Sequence, residues 1–224
     1  MECPVGTEGM DDAPILMIFD FDNTLIDSRI SFGELRNALI DLWARAAPLP
    51  APRDALGHLA IRDIVDQALA ASPDLAGALW ATIESYETAG LEGATTMPHA
   101  RTVLAGLAAR GVRLALLTNN ARGATLRLLE RLDLAPLLDL TITRDDASAL
   151  KPDPAGIRLI LERLGPMQAA YLVGDSWIDG LAAQAAGVRF IGFGGRRAEV
   201  EARGVVPWAW AGDLRDLLDL DLRR

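Results

Sequence analysis

Short runs of apolar residues recur along the chain at 15–19, 112–117, 140–143, 170–173 and 189–193. Each is nearly continuous and ends in polar residues, the pattern of a strand buried on both faces rather than on one. Between most of them lie stretches with helical spacing and recognisable stops: 98–110 before Gly111, 123–132, 154–164 before Gly165, and 178–186 before Gly187. Strand and helix in alternation predict an α/β core of Rossmann-like type, a doubly wound and mostly parallel sheet with helices on both faces.

The rhythm breaks once, after the first run, because no strand-like pattern appears again before residue 112. A structureless loop of that length is implausible. The spacing predicts three helices instead, at 28–46, 53–71 and 73–90, separated by Pro48-Leu-Pro-Ala-Pro52 and by Ser72-Pro73. The expected organisation is therefore a flexible tail at 1–12, a core made of 13–27 and 94–224, and an inserted α-helical cap at 28–93. Residues 212–222 read as a closing amphipathic helix.

With 224 residues, half of them hydrophobic, the chain is long enough for one core and a modest insertion. No apolar run approaches the roughly 18 to 20 residues that cross a bilayer, so no membrane partner is expected. Residues 1–12 have neither the basic residue nor the apolar stretch of a targeting peptide, which makes the cytoplasm the expected compartment. Cys3 is the single cysteine and forms no internal disulfide. A net charge of -9 with scattered basic residues argues against nucleic acid as a partner. Of the 22 basic residues, 21 are arginine and only Lys151 is lysine. A chain that uses arginine everywhere else has kept a compact ammonium at one place, and the two are not equivalent.

In doubly wound sheets ligands bind beyond the carboxyl ends of the strands. The first run leads into Asp20-Phe-Asp-Asn-Thr24, the second into Thr118-Asn119-Asn120, and the fourth into Gly174-Asp-Ser-Trp-Ile-Asp179, while Lys151-Pro-Asp-Pro154 precedes the helix that leads to the fourth. Carboxylates, a hydroxyl with an amide, and one cation thus gather on one edge. Acids placed together repel each other unless a cation sits between them, and hard oxygen ligands suit Mg²⁺. Phosphoryl transfer needs an in-line nucleophile, positive charge on the equatorial oxygens, and a proton donor for the leaving group.

These four motifs, in this order and at these strand exits, resemble the haloacid dehalogenase-like hydrolases, and among them the phosphatases whose helical cap follows the first motif. The likeness extends over nearly the whole chain from Ala13 onward. It implies Asp20 as nucleophile, forming an aspartyl-phosphate, and Asp22 as general acid and then base. Thr118 and Asn119 would hold the transferring phosphoryl group, with Lys151 neutralising its charge. Asp175 would bind Mg²⁺ with the Asp20 carboxylate and the Asp22 backbone carbonyl, and Asp179 would reach the metal directly or through water. The substrate implied is a small phosphorylated metabolite, with phosphoglycolate phosphatases the nearest functional group.

Single residues narrow the choice within the family. True dehalogenases lack the second aspartate of the first motif, which is present here as Asp22; phosphonate-cleaving relatives need a cap lysine, and this cap has none. A sugar-phosphate mutase shares all four motifs and stays open. So does, from another class, a non-catalytic phospho-acceptor or binding module of receiver type. Asp179 at a helix start also fits plain capping. Asp27, Asp145 and Asp146 read as caps or solvated charges, His58 and His99 as structural, and Trp177 as either lining the site or packing. Arg29, Arg36, Arg53 and Arg62 are the cap cations that could meet a substrate carboxylate.

Overall fold

The computed structural model describes residues 13–223; the tail read at 1–12, with Cys3, lies outside them. A parallel sheet of six strands forms the core, in the order β5-β4-β1-β6-β7-β8. The strands are β1 (Ile15–Phe19), β4 (Arg113–Leu117), β5 (Leu140–Ile142), β6 (Ala169–Gly174), β7 (Arg189–Phe193) and β8 (Ala209–Ala211). Central β1 pairs with β4 and β6, Ile18 standing opposite Ala115 on one side and Leu172 on the other. All five β1 residues are buried, which is why the strand reads as a continuous apolar run and not as an alternation.

The predicted core helices form as α4 (Ala100–Ala109), α5 (Arg122–Arg131), α6 (Ala155–Leu164) and α7 (Trp177–Ala186), each within two residues of its expected start and end, and a short α8 (Arg197–Ala202) follows β7. Leu16 and Ile18 of β1 join Ile157 and Ile160 of α6 and Ala182 and Ala183 of α7 in one buried cluster. At about 25 cal/mol per Å² of apolar surface, fully burying each such Leu or Ile stabilises by roughly 1.5–3 kcal/mol. Trp177 packs against this cluster with the Arg203 guanidinium over its ring.

Several short elements, α8 among them, escape the sequence reading. A pair of two-residue strands, β2 (Ile26–Asp27) and β3 (Thr95–Thr96), forms a separate antiparallel ladder at the two ends of the insertion, where no strand-like run was expected. Edge strand β8 is also unforeseen. At the C-terminus the predicted helix over 212–222 is instead a 3-10 stretch, Leu214–Leu218. Asp216 turns back to accept the N–H groups of Gly212 and Asp213, and Leu214 and Leu217 are buried at the three-residue spacing that a 3-10 turn satisfies. The Tyr171 hydroxyl donates to the Leu222 carbonyl at 2.8 Å and tethers the segment to β6.

By its contacts the chain divides into two compact units, residues 28–94 and the remainder. The first holds α1 (Phe32–Ala46), α2 (Ile61–Ala71) and α3 (Ala76–Glu92), with 3-10 turns Arg53–Leu56 and Pro73–Leu75. Its own core gathers Leu39, Trp43, Ile64, Ala68, Leu79 and Ile83. The helix expected over 53–71 is interrupted at Gly57, and that over 28–46 begins only at Phe32, where the Arg29 N–H has already been used on the Gly90 carbonyl. Arg53 pairs with Asp41, Arg62 with Asp66, and Arg36 donates to the Leu59 carbonyl, so all three are engaged inside this unit. Among the described residues no helix is long and apolar enough to cross a membrane.

Candidate active site

At the end of β1 the backbone N–H of Asp20 still bonds to the Val173 carbonyl at 2.9 Å, so the sheet hands Asp20 directly to its carboxyl edge. The chain then turns sharply: Leu25 and Ile26 both donate to the Phe21 carbonyl, and Asn23 adopts the left-handed backbone, φ 58°, that asparagine tolerates. This turn brings the Thr24 hydroxyl back to Asp20 Oδ2 at 3.3 Å. At the end of β6, Gly174 has no room for a side chain, since a Cβ there would stand 2.6 Å from Cβ of Asp179. That close approach seats the first turn of α7 against the strand. Asp179 Oδ2 accepts both the N–H and the hydroxyl of Ser176, at 3.2 and 2.5 Å.

Lys151 stands at the centre of the resulting cluster. Its Nζ donates to Asp20 Oδ1 at 2.5 Å, to Asp179 Oδ1 at 2.6 Å and to the Leu117 carbonyl at 3.1 Å, using all three of its protons in a site where its side chain is 3 % exposed. Asn119 holds the Lys151 segment from the neighbouring strand exit: its Nδ2 donates to the Lys151 carbonyl at 3.1 Å, and its Oδ1 accepts the Lys151 N–H at 2.9 Å. Thr118 Oγ1 accepts the N–H of Asn120 at 3.1 Å, and Asn120 Nδ2 donates to Asp22 Oδ2 at 2.7 Å.

Electrostatics follow from this crowding. Burial above all pushes the Asp20 carboxyl well above its usual range; Lys151 opposes the rise, and Asp179, Asp175 and Asp22 add to it. Burial also works against the Lys151 charge, yet Asp179 and Asp20 together hold it above the usual lysine range. Asp175 is pushed up to about 6, by burial first and Asp179 second, with Arg196 pulling the other way from 3.4 Å. Asp20, Asp175 and Asp179 present oxygens that all lie within 4.8 Å of one another. Asp20, Asp175, Asp179 and nearby Asp22 outnumber the Lys151 ammonium and the Arg196 guanidinium, and the donors are all hard oxygens, so a divalent cation of the Mg²⁺ or Ca²⁺ kind suits the place.

The seven residues singled out from the sequence therefore lie at the same sheet edge, on the exits of β1, β4 and β6 and on the turn after β5. Asp20, Lys151, Asp175 and Asp179 form the cluster itself. Asp22 is held by Asn120 on the exit of β4. Asn119 differs from expectation in one respect, because its amide is spent on the Lys151 backbone. Four neighbours went unremarked in the sequence: Thr24, Asn120, Ser176 and Arg196. The first three lie inside the quoted motifs, whereas nothing distinguishes Arg196 among 21 arginines. Asp145 accepts the Arg122 N–H at the start of α5 and Asp146 binds both Thr143 and Arg122, so this pair does cap and brace a loop.

The sequence profile of the haloacid dehalogenase-like hydrolases matches residues 17–193. This chain belongs to that family. A phosphoglycolate phosphatase of Rhodospirillum rubrum is 33% identical over 207 residues, 86% of each chain. Another, of Pseudomonas putida, is 33% identical over 221 residues, 92% of this chain and 79% of that one. Among solved structures, a haloacid dehalogenase-like family hydrolase of Streptococcus pneumoniae superposes with a TM-score of 0.66 at 20% identity, covering 92% of this chain and 97% of that one. That last likeness concerns the fold alone. As a haloacid dehalogenase-like hydrolase the protein is an enzyme, and the acid cluster at its sheet edge lies where the fold binds ligands.

Proposed function

We propose that the protein is a Mg²⁺-dependent phosphatase of the cytoplasm that hydrolyses a small phosphomonoester of the phosphoglycolate kind through a phosphoryl group carried on Asp20. One observation carries this reading: at the end of the central strand, a buried carboxylate is bridged to a second one by the chain's single ammonium, with a third carboxylate alongside. In this reading residues 13–27 and 94–224 are the catalytic core and 28–93 the helical cap region.

Asp20 attacks phosphorus; the bond from phosphorus to the ester oxygen breaks, and Asp22 gives that oxygen a proton. A carboxylate nucleophile replaces one slow hydrolysis by two easier steps. Asp22, now ionised, takes a proton from water as the water attacks phosphorus, which releases phosphate and restores the Asp20 carboxylate. Lys151 holds the attacking carboxylate in place and offsets the charge of the phosphoryl oxygens, and Thr118 with the Asn119 backbone region supplies donors to them. Asp20, Asp175 and the Asp22 carbonyl would hold Mg²⁺, with Asp179 reaching it directly or through water; when bound, the ion offsets charge on the nucleophile and the phosphoryl group.

Support for the substrate class comes from the relatives named as phosphoglycolate phosphatases. The test is phosphate release from 2-phosphoglycolate and a panel of sugar phosphates, with Mg²⁺ and with excess chelator. Many turnovers that depend on the metal support the reading. Isomerised product without net phosphate would identify a mutase, and one retained phosphate per chain a phospho-acceptor module.

A further inference from the structure

We propose that Asn120 is a positioning residue that aims the Asp22 carboxyl at the leaving oxygen and stabilises it as its proton departs; this rests on the reading of Asp22 as general acid. The two residues are 98 positions apart in the chain and joined by a buried 2.7 Å bond from Nδ2 to Oδ2. Asn120 is anchored on both sides of that amide. Its N–H donates to Thr118 Oγ1 at the exit of β4, and its carbonyl accepts the Arg144 N–H, at 3.1 Å, from the loop after β5. With only 4 % of its surface exposed, the residue is held out of water, and its side-chain amide donates to Asp22 from a backbone fixed at both ends.

The chemistry of the amide matters as much as its place. Tying Oδ2 fixes the plane of the Asp22 carboxyl and hence the direction of its other oxygen. A neutral donor holds that plane without forming a permanent ion pair, which a lysine or arginine in its stead would do. As the proton moves to the leaving group, charge grows on the Asp22 carboxyl, and a bond to a charged acceptor is stronger than one to a neutral one. The bond from Asn120 therefore strengthens along the reaction coordinate, which is what transition-state stabilisation requires. Neighbouring Asn119 and Asn120 thus divide the exit of β4 between them: one amide secures the Lys151 backbone, the other the proposed acid.

The experiment uses leaving groups of different need. 4-Nitrophenyl phosphate departs as a stable phenolate and requires little protonation, whereas 2-phosphoglycolate, or glycerol 3-phosphate where it turns over faster, departs as an alkoxide that must be protonated. Single-turnover release of each leaving group is measured with Mg²⁺ for the wild type, Asp22→Asn, Asn120→Leu and Asn120→Asp. Asn120→Leu keeps the volume and removes the donor; Asn120→Asp keeps the shape and sets a like charge against Asp22. Both Asn120 variants are expected to slow the alkyl ester roughly ten- to a hundredfold and the aryl ester less than about threefold. The ratio of the two rates cancels the amount of folded enzyme, so it can be read even in a destabilised variant, and the isosteric Asn120→Asp supplies it if Asn120→Leu does not fold. Equal loss on both esters, or no loss, while Asp22→Asn remains selective, overturns the role of Asn120 alone. Equal loss in Asp22→Asn overturns both the acid and its positioning residue.

Discussion

Replacing Lys151 gives a quantitative test of the cluster, because its ammonium makes three bonds, at 2.5, 2.6 and 3.1 Å, from a side chain that is almost wholly buried. Lys151→Met keeps the stem and deletes the charge, leaving Asp20 and Asp179 without their shared cation. Removing one partner of a buried ion pair typically costs about 3–5 kcal/mol. For a chain of this size 1 kcal/mol corresponds to roughly 2–4 °C in melting temperature, so the metal-free variant should melt about 6–20 °C lower near pH 8. The deficit should shrink in acid. Losing the ammonium raises the folded-state pKa of Asp20 further, and a group raised on folding stabilises below its unfolded pKa and loses that contribution as pH climbs through the folded one. Lys151→Arg separates charge from shape. A planar guanidinium cannot point three protons at these three acceptors, and misplacing one preorganised charge should cost roughly 3 kcal/mol, or about a hundredfold in kcat. The assay is kcat on any accepted phosphomonoester together with thermal melting in chelator. Near wild-type kcat in Lys151→Arg would refute the reasoning and make the residue's uniqueness an accident of composition.

Other expectations follow from the same cluster. With Asp175 at about 6 in the folded chain and near 3.8 unfolded, its contribution is complete only below the unfolded value and is lost as pH climbs through the folded one; between about pH 3 and pH 7 the wild type in chelator should lose roughly 3 kcal/mol more than Asp175→Asn, and a melting series that shows no difference contradicts the assignment. Gly174→Ala places a Cβ 2.6 Å from Asp179, so it should lower the melting temperature by about 4–12 °C, for a strain of roughly 2–3 kcal/mol, and weaken Mg²⁺ binding measured by calorimetry; an unchanged melt shows that α7 can shift freely. Asp22→Asn should retain far more activity on aryl than on alkyl phosphates, and steady-state rates on the two ester types decide it.

How far the sequence sufficed depends on the length and neighbours of each element. β1, β4, β6 and β7 are long enough and buried enough to read as apolar runs, and α6 and α7 end at glycines that stop them. Two-residue β2 and β3 fall below the length at which alternation can be seen at all. At residues 212–222 the leucine spacing is compatible with both helix types, and only the hydrogen bonds of Asp216 to Gly212 and Asp213 decide for the 3-10 turn. In the site, spacing along the chain could place Asp20, Lys151, Asp175 and Asp179 on one edge, since strand exits in this topology converge. It could not say that Asn119 faces the Lys151 backbone or that Asn120 faces Asp22, because those pairings cross 32 and 98 residues and depend on side-chain direction. Arg196 reaches Asp175 while forked on Glu199, a contact set by the loop after β7 that no local pattern announces.

The central claim is that phosphate is carried on the carboxylate of Asp20. During turnover of a phosphomonoester with Mg²⁺, an acid quench followed by borohydride reduction converts an aspartyl-phosphate to homoserine, and peptide mass mapping then locates it. Homoserine at position 20, absent without substrate and absent in Asp20→Asn, is the predicted result. Homoserine at another aspartate, or steady phosphate release by Asp20→Asn, would contradict the account.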